Sequence, residues 1–402
     1  MGKRPEGEGG KPYRFNDNWW RAEVMVGYNP DGTRRRKRVY GRTEKECMQA
    51  LRAALRERDQ GNLATGKAPK LIDWLDHWLA NVPPKRLRER TRREYAGLIG
   101  NWVRNTRTAQ IRIDKLTPEH LEALYKPLRD AGRSETTVTH LHRILSRALK
   151  VAVQRKKIAV NPATLLDAPQ PAKYEPTVLT TAQVETLVDT ARHDGHAARW
   201  LIALTLGPRQ GESLGLAWDD IDMGEDTIRV RREIYRLAWL HGCNPEGEPA
   251  CGRKRGVDCP ARHSGGIFTG KPKSEAGTRN MPIPPQLKPL LEAHRAAQPE
   301  AEPWVSANGE ALDLVFRRPD GRPLDMRQDW GAWKALLKKA GVPDVRPHDA
   351  RHTAATTMLL LGVPPRVVME IMGWSQASML QRYQHVMDEA KLDAADKEGL
   401  GT

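Results

Sequence analysis

His348-Asp349-Ala350-Arg351-His352-Thr353 is followed by Gly373-Trp374-Ser375 and then by Tyr383-Gln384-His385. Upstream stand two further clusters. Gly207-Pro208-Arg209-Gln210-Gly211-Glu212 closes the apolar run Leu201-Ile202-Ala203-Leu204. Lys273 precedes the turn Ser274-Glu275-Ala276-Gly277 and the strand-like Thr278-Arg279-Asn280-Met281-Pro282-Ile283. Each cluster alone is weak, because a lone tyrosine on a helix is usually core or surface and an arginine beside glycine is usually a turn. Their fixed order within one segment, residues 172–402, carries more weight.

That segment reads as mixed α and β. Thr180 and Gln183 make a capping box, strand regions follow near 227–235 and 278–284, and mostly helical sequence resumes from 286. Two other modules precede it. Residues 12–60 read as a β-β-α unit: Trp20, Ala22, Val24 and Val26 alternate along a strand from Trp19 to Tyr28, and Asn29-Pro30-Asp31-Gly32 is a turn. Arg34-Arg35-Arg36-Lys37-Arg38 returns as a second strand, and Thr43 with Glu46 caps a helix running to Asp59. Trp19 and Trp20 read as hairpin core. Residues 61–70 read as a linker and 71–165 as helical, with Leu71, Trp74, Leu75, Trp78 and Leu79 at helical spacing. Thr117-Pro118 and Ser134 open later helices, the second carrying Leu141, Ile144, Leu145, Ala148 and Leu149.

Charge separates these parts. The 402 residues carry a formal net charge of +16. Residues 1–66 hold +6, residues 67–170 hold +11 and residues 171–402 hold −1. Five consecutive basic side chains at 34–38 fit a polyanionic partner better than a solvated hairpin face, since like charges on one strand repel without a counter-charge. A spanning apolar run and an apolar leader are both missing, so no membrane is expected and a cytoplasmic location is. Four cysteines, one isolated at Cys47, exclude a secreted disulfide scaffold.

The ordered set Arg209, Lys273, His348-x-x-Arg351, Trp374 and Tyr383 resembles the tyrosine recombinase (phage integrase) family over the whole chain, in particular integrases of actinobacterial phages and integrative elements. The resemblance implies a multidomain, mainly α fold with small β-sheets. Residues 1–62 would be an arm-type DNA-binding domain, 63–170 a helical, SAM-like core-binding domain and 171–402 a mixed α+β catalytic domain. It further implies a site-specific recombinase that integrates a phage or mobile element. In such a reaction the attacked phosphodiester gains negative charge on its non-bridging oxygens, which two guanidiniums clamp, here Arg209 and Arg351. Lys273, with Lys271 as a nearby competitor, would protonate the leaving 5′ oxygen. His348 would accept the tyrosine proton. Tyr383 would form a 3′-phosphotyrosine. Trp374 stands where most of the family has a second histidine, which implies hydrogen bonding and packing there. Glu212 would orient its neighbours, and His352 and His385 read as structural. No cofactor is implied for catalysis. The implied partners are double-stranded core and arm attachment sites, three further copies of the chain in a tetramer, and an excisionase-type directionality factor. Arg34, Arg35, Arg36, Lys37 and Arg38 would contact arm DNA. A type IB topoisomerase shares the Tyr, Arg and Lys chemistry but not the three-part layout. A non-catalytic DNA-binding regulator explains the charge but not the complete set.

One cluster lies outside that scheme. Cys243, Cys251, Cys259 and His263 are spaced C-x7-C-x7-C-x3-H in a long stretch rich in Gly, Pro and charge. Thiolates with an imidazole suit tetrahedral zinc, and a metal would order a loop of this length. His241 is the alternative fourth ligand.

Overall fold

Alternation along Trp19–Tyr28 buries Ala22 and Val24 on one face, and this strand, β2, is the centre of a three-stranded antiparallel sheet. Its neighbours are β1 (Tyr13–Asn16) and β3 (Arg34–Gly41). Helix α1 (Glu44–Asp59) covers the sheet, placing Cys47, Leu51 and Ala54 against Ala22, Val24 and Val39. Thr43 caps the helix as expected, the Glu46 amide donating to Thr43 Oγ1 at 3.2 Å, but the Glu46 carboxylate accepts from the Arg42 amide at 2.8 Å rather than from that of Thr43, as a reciprocal box would have it. The unit is thus β-β-β-α rather than β-β-α. Trp20 packs on the core, while Trp19 faces outward with 40% exposure beneath the Arg42 guanidinium.

The structure is a computed structural model, which describes residues 10–28, 32–59, 68–82, 87–171, 177–244 and 249–383. The turn at 29–31, most of the linker, Arg86, Gln384 and His385 lie outside the described residues. The chain divides into two units, residues 1–174 and 175–402.

The first unit also holds helices α2 (Leu71–Asn81), α3 (Glu89–Trp102), α4 (Pro118–Asp130) and α5 (Glu135–Gln154). Leu141, Ile144, Leu145, Ala148 and Leu149 of α5 are fully buried. Each of the larger ones contributes roughly 1.5–3 kcal/mol of apolar burial. The Trp74 indole N–H donates to the Ala148 carbonyl at 3.0 Å, which pins α2 to α5.

The second unit is built on helices α6 (Thr181–Arg192), α7 (Ala197–Thr205) and α8 (Gln210–Leu214). A three-stranded antiparallel sheet of order β4-β5-β8 follows: β4 (Ile221–Asp222), β5 (Thr227–Val230) and β8 (Arg279–Pro282). Between β5 and β8 the chain makes a second ribbon of β6 (Glu233–Leu237) and β7 (Gly266–Gly270). Helix α9 (Lys288–Ala296) and the ribbon β9 (Trp304–Val305) with β10 (Ala311–Leu312) lead to α10 (Met326–Ala340), α11 (Pro347–Leu360) and α12 (Pro365–Met372). A short 3-10 segment, Ala377–Tyr383, is the last of its described elements. No described helix is long and apolar enough to cross a membrane.

Trp200 of α7 and Trp333 of α10 meet in the core with ring centroids 5.7 Å apart. The Trp333 indole N–H donates to the Val345 carbonyl at 2.9 Å and so fixes the chain just before α11. A buried ion pair, Arg199 with Asp329 at 3.1 Å, ties α7 to α10. Gln210 Nε2 donates to the same carboxylate at 2.8 Å, which anchors the start of α8 next to Arg209.

Candidate active site

Helix α11 begins at Pro347 with a restricted φ and no amide to satisfy, and Asp349 closes its first turn. The Asp349 carboxylate accepts from the Arg346 amide at 3.1 Å and from Arg346 Nε at 3.0 Å. His348, Arg351 and His352 therefore stand at i, i+3 and i+4 on one helical face. Arg351 is buried, with one terminal nitrogen donating to the Gly207 carbonyl at 2.6 Å and the other to the Met372 carbonyl. These two bonds connect α11 to the approach of Arg209 and to the end of α12.

Glu212, fully buried, is the hub of the arginines. It accepts from Arg209 Nη1 at 2.6 Å and from the Arg209 amide at 3.0 Å, and Arg279 Nη2 donates to the same carboxylate at 3.1 Å. Burial alone would raise the Glu212 pKa, but the Arg279 and Arg209 cations outweigh it and hold the carboxyl below its usual range. Burial, reinforced by the Arg209 and Arg279 cations, pulls Arg351 down to about 9, so it remains charged at neutral pH. Three guanidiniums thus face one carboxylate. Such an unbalanced, desolvated set favours an anion between the arginines.

Gly373 ends α12 in the left-handed region at φ 63°, where a Cβ would stand 2.6 Å from the Ala276 carbonyl oxygen. This turn delivers Trp374 onto Tyr383, the rings stacked at 5.5 Å and 22°. The Arg351 guanidinium carbon lies 5.9 Å from the Trp374 ring centre. Tyr383 is 3% exposed, and its hydroxyl is hydrogen-bonded to His352 Nδ1 at 2.5 Å. His348 meets His352 edge to face, ring centres 5.3 Å apart. Although His348 is exposed, desolvation by its surroundings and the Arg351 cation push its pKa below the usual imidazole value.

Arg209, Glu212, His348, Arg351, Trp374 and Tyr383 therefore gather at one place. Lys273 is exposed on the connection from β7 to β8, which links two different sheets, and Lys271 precedes it there. Two residues are not legible in the sequence as site residues. Arg279 reads only as part of a strand, and its pairing with Glu212 spans 67 positions. His352 reads as structural, yet it holds the tyrosine hydroxyl. The spacing His348-x-x-x-His352 is the signal that could have found it. In the basic run, Arg34, Arg36 and Arg38 are exposed and Lys37 is half-buried. Glu23 pairs with Arg36 at 3.1 Å and with Arg38 at 3.3 Å. Cys243, Cys251 and Cys259 do come together, but with His241 rather than His263, whose ring turns to Ser264 Oγ at 2.9 Å.

The model of the phage integrase family matches residues 275–390. An integrase of Saccharopolyspora erythraea is 34% identical over 96% of this chain and 94% of its own length. A XerC-like tyrosine recombinase of Caldanaerobacter subterraneus is 28% identical over 94% of this chain and 95% of its own. Among solved structures, the Tn1549 transposon integrase in complex with a circular intermediate DNA aligns with a TM-score of 0.62 at 21% identity, covering 81% of this chain and 99% of that one. The chain belongs to the phage integrase family of tyrosine recombinases, enzymes of site-specific DNA recombination and integration.

Proposed function

We propose that Tyr383 cuts one DNA strand by attacking the scissile phosphorus, and that the arginine cluster stabilises the charge this creates. The Tyr383 Oη–P bond forms as the bond from phosphorus to the 5′ oxygen breaks. The tyrosine proton passes to His348, and Lys273 supplies a proton to the departing 5′ hydroxyl. The 3′-phosphotyrosine conserves the phosphodiester, so a 5′ hydroxyl of a partner strand reverses the reaction on new DNA without nucleotide hydrolysis. Arg209 and Arg351 bind the non-bridging oxygens, with Arg279 as a third cation, Glu212 orients Arg209 and Arg279, and Trp374 packs on the tyrosine. The convergence of Arg209, Arg279 and Arg351 around Glu212, beside a tyrosine stacked on Trp374, is the observation that carries this reading.

Tyr383 reaches the phosphate by leaving His352. Its hydroxyl is buried against that ring, and His348 is the next imidazole along the same face. His352 thus holds the hydroxyl at rest, and His348 takes its proton during attack.

In this proposal residues 1–62 bind arm sites through Arg34, Arg35, Arg36, Lys37 and Arg38, residues 63–170 bind the core site and residues 171–402 carry the chemistry. Linking two binding modules raises the local concentration of each at its site. Each chain brings one Tyr383, and recombination of two duplexes cuts four strands, so four copies act together. A directionality factor for excision is part of the same proposal. The test is strand exchange between two attachment-site duplexes without nucleotide or added divalent metal. Recombinant product with the wild type and none with Tyr383→Phe is expected. Product with Tyr383→Phe contradicts the assignment.

A further inference from the structure

Between β6, ending at Leu237, and β7, starting at Gly266, lies a long excursion that the recombination chemistry leaves unexplained. Among its described residues only Cys259 and Gly265 are buried. An excursion of this length has too little apolar surface to order itself. Yet its two ends are held together: Leu240 and His263 exchange backbone hydrogen bonds of 3.0 and 3.1 Å. A 3-10 turn, Gly256–Asp258, then leads Cys259 inward. Gly256 permits the approach, since a Cβ there would collide with the Trp239 carbonyl oxygen.

We propose that His241, Cys243, Cys251 and Cys259 bind one Zn2+ in a structural site that ties this excursion together. One ligand atom from each lies within 4.8 Å of all the others. Bonds of about 2.3 Å to sulfur and 2.0–2.1 Å to nitrogen put tetrahedral ligand atoms roughly 3.5–3.8 Å apart. Cys251 Sγ and His241 Nδ1 stand 3.4 Å apart, close to that edge length. All three thiols are free, so no disulfide competes for them. Three sulfurs and one imidazole favour zinc over calcium or magnesium, which prefer oxygen ligands.

Binding releases one proton from each of the three thiols and leaves a complex of net charge −1. Four protein ligands fill the tetrahedron and leave no position for a substrate, so the site is structural. His263 is a supporting residue: its Nε2 lies 3.2 Å from the carbonyl oxygen of His241 and so steadies a ligand's backbone. The metal fastens the Leu237–Gly266 end of the ribbon, and β7 runs from there to Lys271 and Lys273 at its far end.

The test is elemental analysis of the full-length protein, purified without chelator and dialysed against metal-free buffer. About one zinc per chain is expected for a closed four-ligand site. Replacing it by Co2+ in the wild type should give the intense visible bands of a tetrahedral ion and the near-ultraviolet bands of thiolate bonding. His241→Ala and Cys251→Ser should weaken zinc binding at least about 100-fold, more than the outer-shell change His263→Ala. Wild type that neither retains zinc nor takes up one added equivalent overturns the proposal, whatever the variants do. So does a protein that loses its metal with His263→Ala and keeps it with His241→Ala. These readouts do not depend on DNA cleavage, so failure of the recombination mechanism leaves them unaffected.

Discussion

The Tyr383 hydroxyl lies 2.5 Å from Nδ1 of His352, and the His348 ring meets the His352 ring edge to face. Two buried polar groups are hydrogen-bonded here, and removing either partner loses a bond worth about 0.5–1.5 kcal/mol. A double-mutant cycle of His352→Ala and Tyr383→Phe, read by denaturant unfolding of the full chain, should show a coupling of at least about 0.5 kcal/mol. Strict additivity of the two changes would contradict the hydrogen bond.

In the proposed mechanism, proton transfer from the tyrosine needs a neutral His348. Desolvation and the Arg351 cation lower its pKa, so the ring is neutral above a value that lies below the usual imidazole figure of about 6.5. Single-turnover cleavage should fall as pH drops through that lowered value and level off above it. His348→Gln should remove this limb of the profile and slow cleavage by roughly 10²–10⁴-fold. A limb that persists in His348→Gln assigns the proton to another group.

Glu212 couples stability to pH with a definite sign. Its folded pKa is held below the unfolded value of about 4.3, so its contribution is complete above that value and is lost as pH falls through the folded pKa. Glu212→Ala leaves Arg279 buried without its carboxylate and should cost about 3–5 kcal/mol near neutral pH. It should also flatten stability against pH over that acid window, as acid titration of both proteins would reveal. An unchanged slope there assigns the acid sensitivity to other carboxylates.

Arg279 tests whether a third cation serves the phosphate. Arg279→Lys keeps the charge but gives up the guanidinium bond to Glu212 and the bonds to the Ile371 and Gly277 carbonyls. Cleavage should fall by at least about tenfold while affinity for the attachment site changes little. Equal loss in both would make Arg279 a binding residue.

The basic strand makes a prediction about salt. Replacing Arg34, Arg36 and Arg38 by Gln should weaken arm-site binding. The plot of log affinity against log salt should become shallower by about 0.9 for each phosphate no longer neutralised. A slope identical to wild type would place arm recognition elsewhere.

Much of this architecture is readable from periodicity and capping. The α5 stripe, the Thr43 cap and the alternation in β2 appear where the sequence puts them because each is a local signal. Strand β1 is not readable: its four residues are all exposed, so no alternation of burial marks it. Helix α11 is buried almost all round from Asp349 to Leu359, which erases the face its periodicity would otherwise show. The missed site residues share one cause. Arg279 finds Glu212, and His352 finds Tyr383, only after distant elements pack. His263 resembles a ligand because it follows Cys259 closely in sequence. The Leu240–His263 bridge instead turns its ring away and brings His241 in.

The most direct test of the central claim is covalent trapping. Wild type and Tyr383→Phe are incubated with a nicked attachment-core duplex from which the short fragment bearing the freed 5′ hydroxyl diffuses away, and the products are run on a denaturing gel. A shifted protein–DNA band is expected with the wild type alone, with the 3′ phosphate mapped to the peptide carrying Tyr383. Equal bands with both proteins would place the nucleophile elsewhere. No band with either, on DNA that both demonstrably bind, would contradict covalent catalysis altogether.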